Sequence, residues 1–347
     1  MMIQNFVGSR IMQGSHCFST ALLRITEYYA KMGFTEDMVF GLSGGLDFMY
    51  RKDGQAICLN GRANDIEKKY ASCLGLSFTQ WTAASFPDFI REVSAYLKNG
   101  DLLLLYLDAS KLPYIRLGLD MQDVAMMSEH AGILCGMDKE REIFFVLDYM
   151  LSGVAEVPYP MMEQALYNGA PKQFSPNRPE TLKNTYGVYT FPKECVPLTI
   201  AVYSSVEATC NHMLNPTNYY QGLFGMRLLA REYPAWKEYF PQEILCKELG
   251  TAYAYLEKIG TGGGNFRRMY ARFLKEVSVI TGNDEYLELS KEYFAVSRLW
   301  KLFALNLSRL SESFSDALYD AQKPVVKELY ERESELIGKL NHCVQKG

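Results

Sequence analysis

The pattern of apolar and polar positions divides the chain into halves of different character. In the first half short elements alternate. An apolar repeat at Phe18, Leu22, Ile25 and Tyr29 predicts a helix with Ser15 as its N-cap and Gly33 beyond its end. Gly41-Leu42-Ser43-Gly44-Gly45 reads as a glycine-rich turn running into a strand through Tyr50, and Phe86–Lys98 carries amphipathic helical spacing with Asp88 and Glu92 in its first half. Residues 102–107 are a wholly apolar run of strand length, and residues 130–148 read as strand, charged turn (Lys139-Glu140-Arg141-Glu142) and strand.

Beyond this the texture changes. Residues 158–197 are rich in Pro, Asn, Lys and Tyr, including Pro171-Lys172-Gln173-Phe174-Ser175-Pro176, and read as a surface connection. From about residue 196 helical periodicity dominates, over 200–214, 219–233, 241–259, 265–280, 283–310 and 312–343. The expected fold class is α+β: an N-terminal domain over 1–155, a connecting segment over 156–197 and a mostly α-helical domain over 198–347. A chain of 347 residues suits two domains, each with its own core.

Composition narrows the chemistry. The net charge of −4 argues against a nucleic-acid groove and is compatible with a cationic small molecule. The longest apolar run, 102–107, is far shorter than a membrane span, and no apolar leader follows a basic start; a cytoplasmic protein with no membrane partner is expected. The eight cysteines form no C-x-x-C pair and no zinc-ligand spacing, so free thiols and no metal are expected.

One cysteine stands apart. Cys17 falls at the first turn of the first predicted helix, where the helix dipole and unpaired amides stabilise a thiolate. Far downstream, a hairpin folded about Lys139 would set His130 opposite Asp148, within reach of a hydrogen bond. Asp148 would then fix the imidazole tautomer, and His130 would take a proton from Cys17 and return it to a reacting group. The alternative is a solvated aspartate ending a strand and a histidine bonded within the core. A register slip of one residue would separate the pair.

A second local signal is Gly260-Thr261-Gly262-Gly263-Gly264-Asn265-Phe266-Arg267-Arg268, a glycine loop opening onto a helix with two arginines in its first turn. Such a terminus can bind an anion, although the lysine and hydroxyl of a P-loop are missing; otherwise it is a tight helix connection with Arg267 or Arg268 bridging to carboxylates. Asp47, Asp120, Asp123 and Glu129 are acidic candidates for a polycationic ligand or for a solvated face.

Taken together, His16-Cys17-Phe18-Ser19, residues 41–50, His130-Ala131-Gly132-Ile133-Leu134-Cys135-Gly136-Met137-Asp138 and the 260–270 loop resemble the butirosin biosynthesis protein H family over nearly the whole chain. The resemblance implies a papain-like N-terminal thiol domain followed by a helical domain. It also implies an acyltransferase that carries an acyl group from the phosphopantetheine thioester of an acyl carrier protein to an amine of an aminoglycoside, with no bound cofactor. In butirosin assembly the group is a γ-glutamyl-protected 4-amino-2-hydroxybutyryl unit and the acceptor is ribostamycin. Cys17 takes the family role of nucleophile, His130 that of base, and Asp148 completes a triad. For the oxyanion, papain-like enzymes use the nucleophile's backbone N–H and an upstream side-chain donor; Gln13 is the available amide, closer to Cys17 than is usual, and His16 is an alternative. Asp47, Arg267 and Arg268 are candidate substrate contacts. A cysteine peptidase, amidase or thioesterase, and a binding protein with a vestigial triad, remain as alternatives. The oligomeric state is open, a homodimer among the options.

Overall fold

In the computed structural model, residues 13–54, 56–115, 129–166 and 182–346 are described. The chain forms two units that do not follow a single cut: residues 1–39 with 75–195, and residues 40–74 with 196–347.

The first unit is built on a six-stranded antiparallel sheet of order β3-β8-β4-β5-β6-β7, with β3 Ser77–Thr82, β4 Leu103–Leu107, β5 His130–Asp138, β6 Ile143–Leu147, β7 Val154–Pro158 and β8 Thr185–Thr190. Every residue of β4 is buried, as are all of β5 except Asp138, because α1 (Cys17–Tyr29) and α4 (Phe86–Lys98) both pack on β5. Strands covered on both faces need no apolar–polar alternation, so residues 102–107 read as one apolar run. The apolar stripe of α1 buries Phe18, Leu22 and Ile25, while α4 starts at Ser85, whose Oγ accepts from Asp88 N at 3.2 Å.

Two expectations change here. The N-cap of α1 is His16, not Ser15: its Nδ1 accepts from Ser19 N at 3.3 Å. The segment expected as a connection contributes β7, α5 (Tyr159–Ala165) and β8 to the unit, since β7 extends one edge of the sheet and β8 sits between β3 and β4. The proline-rich stretch 171–179 lies outside the described residues.

The second unit joins the hairpin of β1 (Leu46–Asp53) and β2 (Ala56–Arg62), together with α3 (Ile66–Leu74), to the C-terminal helices. Two strands alone are marginal in water. Phe48, Met49, Tyr50, Ile57, Cys58 and Leu59 are buried, with β1 packed on α6 (Leu198–Leu214) and α7 (Gly222–Glu232), and β2 on α9 (Gln242–Tyr253). That packing draws residues 40–74 away from the N-terminal domain expected over 1–155. α2 (Glu36–Leu42) carries the chain from the first unit to the second. After the short α8 (Trp236–Tyr239), α9 runs into one π-helical turn at Ala254–Lys258. The unit ends with α10 (Arg267–Thr281), α11 (Asp284–Glu312) and α12 (Asp316–Lys346). Among the described residues no helix is long and apolar enough to cross a membrane.

Candidate active site

The site in the first unit grows from the start of α1 and the end of the β5–β6 hairpin. Cys17 is the first residue of its helix, where the opening amides have no intrahelical acceptor. Its thiol hydrogen-bonds to the imidazole of His130, the first residue of β5. The other end of that ring is taken: His130 Nε2 lies 2.5 Å from Asp148 Oδ2, and both residues are almost fully buried, at 2 % and 1 % exposure. With Nε2 donating to Asp148, Nδ1 is the nitrogen left for Cys17.

Asp148 just follows β6 and is held from several sides. Tyr114 Oη donates to Oδ2 at 3.0 Å, Met150 N donates to Oδ1 at 3.0 Å, and Arg24 Nη1, from α1, donates to the Asp148 carbonyl at 3.0 Å. A carboxylate buried this deeply stays charged only because it is so fully bonded. Burial alone would raise its pKa; the charge and hydrogen bond of His130, with the Met150 amide and the Tyr114 hydroxyl, outweigh burial and hold it below the ordinary range. The converse holds for the imidazole. Burial disfavours the imidazolium, but the charge and hydrogen bond of Asp148, with a smaller contribution from Cys17, push His130 up to about 10.

The loop before Cys17 is fixed by Glu36, the first residue of α2. Its carboxylate accepts from Ser15 N and His16 N, each at 2.8 Å, from Ser19 Oγ at 3.0 Å and from Thr20 Oγ1 at 2.9 Å. Just upstream, Gly14 N donates to the Tyr149 carbonyl at 2.8 Å and Gln13 Nε2 to the Met150 carbonyl at 2.7 Å. The segment carrying the thiol is thus tied to the segment carrying the carboxylate. Tyr149 lays its ring against His130, centroids 5.6 Å apart. Its hydroxyl is raised far above the usual phenol range by burial first and then by the charges of Cys17, Asp148 and Glu36, so it remains a donor across the working pH range.

Three expected sites are placed differently. Gln13, expected as an oxyanion donor, bonds the Met150 carbonyl, and His16, expected as its alternative, turns Nδ1 to the helix cap. Arg267, expected to meet a substrate anion, has no exposure: Nε and Nη2 donate to Glu333 at 2.6 and 2.9 Å, and Nη1 donates to the carbonyls of Asp47, Gly61 and Asn265. It is an internal tie of the second unit. Arg268, its neighbour, is exposed. Asp47 also belongs to the second unit, where burial pushes its carboxyl up to about 6 against the opposing effects of the Phe48 amide, Lys69 and Arg267. Asp120 and Asp123 lie outside the described residues.

Glu36, Tyr114, Tyr149 and Arg24 were not foreseen. Arg24 and Glu36 sit at helical positions that read as surface, and Tyr149 adjoins Asp148 without any motif to mark it. Among the described residues no group of His, Cys, Asp and Glu could hold a metal ion.

Two family matches fall on this chain. Residues 172–340 match a domain of unknown function (DUF4872), and residues 16–149 match the family described as butirosin biosynthesis protein H, N-terminal. No curated protein is significantly similar to the chain. The second match starts at the residue before Cys17 and ends at the residue after Asp148, so Cys17, His130 and Asp148 all fall within the segment that is similar to the butirosin biosynthesis protein H N-terminal family.

Proposed function

We propose that the first unit is a papain-like acyl-transfer domain and that the protein moves an acyl group from a carrier-protein thioester to an amine of an aminoglycoside in the assembly of a butirosin-type antibiotic. The observation that carries this reading is the single imidazole that is bonded to Asp148 through Nε2 and interacts with Cys17 as well.

In the first half-reaction the Cys17 sulfur attacks the thioester carbonyl, a new C–S bond forms and the bond to the carrier thiol breaks; the departing thiolate takes the proton of the His130 imidazolium. Exchange of one thioester for another is nearly isoenergetic, so binding and positioning decide the rate. In this reading the backbone N–H of Cys17 and the hydroxyl of Tyr149 donate to the developing oxyanion. Acylation also changes the base. Cys17 is one of the groups holding the His130 pKa up, and once its sulfur is esterified that support is gone. The imidazole, which has given its proton to the carrier thiolate, then stays neutral and is free to take the proton that must leave the attacking amine. The amine nitrogen then forms the C–N bond, the C–S bond to Cys17 breaks, and the product is an amide.

Exclusion of water separates this from hydrolysis, because the same acyl-enzyme opened by water makes a thioesterase, amidase or peptidase. The test is incubation with an acyl carrier thioester and an aminoglycoside, followed by mass spectrometry. Acyl mass on Cys17 followed by the amide is expected. Free acid alone would make the protein a hydrolase, and no acyl adduct would leave a binding protein with a vestigial triad.

A further inference from the structure

The glycine loop of the second unit holds the longest run of left-handed backbone among the described residues. Gly262, Gly263, Gly264, Asn265 and Phe266 all have positive φ, from 53° to 88°, and the loop follows the π-helical turn Ala254–Lys258. Left-handed backbone at Asn265 and Phe266 costs energy, and strain of this kind persists only where surrounding structure imposes it, often at binding sites. π-Helical turns share that association.

Here the loop shapes a cavity of about 330 Å³, a volume suited to a small ligand. Gly264 is pressed against α11 so closely that a Cβ would stand 2.4 Å from the Ser297 carbonyl oxygen. This approach brings Arg268, in the first turn of α10, to the same cavity as Arg298 and Lys301 of α11. Gly263 forms part of the wall, where a Cβ would lie 3.8 Å from Arg268 Cδ and 3.6 Å from Glu257 Oε1.

The charges at this cavity do not balance. Glu257 gives one oxygen to Gly264 N at 2.8 Å and the other to Lys301 at 3.6 Å. Arg268 and Arg298 have no ion pair or hydrogen bond among the described residues. Three cations against one carboxylate leave a charge of +2 in a concave surface, on a chain whose net charge is −4. Arg268, Arg298 and Lys301 line one concavity, and a cleft lined by charge of one sign focuses the field on an anion.

We infer that the cavity between the 262–264 loop and α11 binds a phosphate group, with Arg268 and Arg298 as its charged donors and Lys301 shared between the phosphate and Glu257. A phosphate monoester, doubly charged at neutral pH, matches the excess charge. The ligand reaches the cavity either as a free phosphorylated small molecule, the monoester, or as the pantetheine arm of a carrier protein, whose phosphate is a diester with a single charge. The inference is independent of the role given to Cys17, and its test uses no turnover.

The experiment is isothermal titration of the full chain at low salt with inorganic phosphate, 4′-phosphopantetheine and pantetheine. Phosphate and 4′-phosphopantetheine should bind and pantetheine should not; binding of inorganic phosphate alone would assign the site to free phosphorylated ligands. R268Q/R298Q should weaken binding at least tenfold, and because both side chains are exposed and unpaired its melting temperature should match that of the wild type. K301Q, measured alongside, should weaken binding less. Failure of both phosphate probes to bind the wild type, or equal affinity in folded R268Q/R298Q, would overturn the assignment.

Discussion

His130 Nε2 and Asp148 Oδ2 stand 2.5 Å apart although the strand register does not set these residues opposite one another. A bulge at Cys135 separates Gly136↔Phe145 from Leu134↔Val146 and Ile133↔Leu147; carried one step further, the register sets Asp148 opposite Gly132. His130 is two positions from Gly132 and so shares its face. The pair meets on a diagonal, and Gly132 has no side chain to stand in the way.

The pH dependence of stability follows from this contact. His130 is raised from 6.5 to about 10 by Asp148, so the contribution it makes to folding is complete below about pH 6.5 and lost as pH rises towards 10. The native state there binds a proton that the unfolded state does not. Melting temperatures measured from pH 6 to 10 should fall more steeply in the wild type than in Asp148→Asn, whose imidazole has lost its charged partner. Parallel curves would mean that the His130 proton is not held by Asp148.

Cys17 should be the reactive thiol. Burial pushes Cys73, Cys135 and Cys210 up to about 12, which leaves these thiols protonated and slow. Iodoacetamide near neutral pH should label Cys17 first, as read by peptide mass mapping. Cys17→Ala should fold normally and form no acyl adduct, and His130→Ala should reduce acyl transfer by about 10²–10⁴-fold. Full transfer by the Cys17 variant would end the covalent mechanism.

Tyr149→Phe separates an oxyanion donor from a thiol partner. Losing one donor to a tetrahedral oxyanion lowers turnover by about 10²–10³-fold, whereas alkylation of Cys17 by iodoacetamide passes through no such oxyanion. The variant should therefore acylate slowly and alkylate at the wild-type rate. Equal loss in both reactions would move Tyr149 to a role in positioning His130, against which its ring packs.

Glu36→Ala should destabilise the first unit by about 2–3 kcal/mol, because the amides of Ser15 and His16 and the hydroxyls of Ser19 and Thr20 lose a common acceptor in a half-buried place. Chemical denaturation measures this. A change below about 0.5 kcal/mol would mean that water replaces the carboxylate without penalty.

Arg267→Gln should cost about 3–5 kcal/mol, since it leaves Glu333 charged and buried and removes the donors to three carbonyls. The melting temperature should drop accordingly, in contrast to the exposed Arg268.

The chain's own residues determined the local elements. Phe86–Lys98 is the helix that its spacing predicts, and the six helical stretches after about residue 196 reappear with ends shifted by a few residues, since periodicity is read over one or two turns. Cys17 at a helix start and the hairpin linking His130 to Asp148 were legible for the same reason. The turn position and the bulge were not: the expected pairing of 130 with 148 is two residues off, and the contact survives because a slip of two keeps the face that a slip of one would lose. Only the tertiary structure decided the rest. It assigned residues 40–74 to the helical unit, because a two-stranded hairpin must borrow a core. It also buried Arg267 against Glu333, 66 positions away, and brought Glu36 and Tyr149 to the thiol. Burial and long-range charge are properties of the packed chain, and no window of sequence carries them.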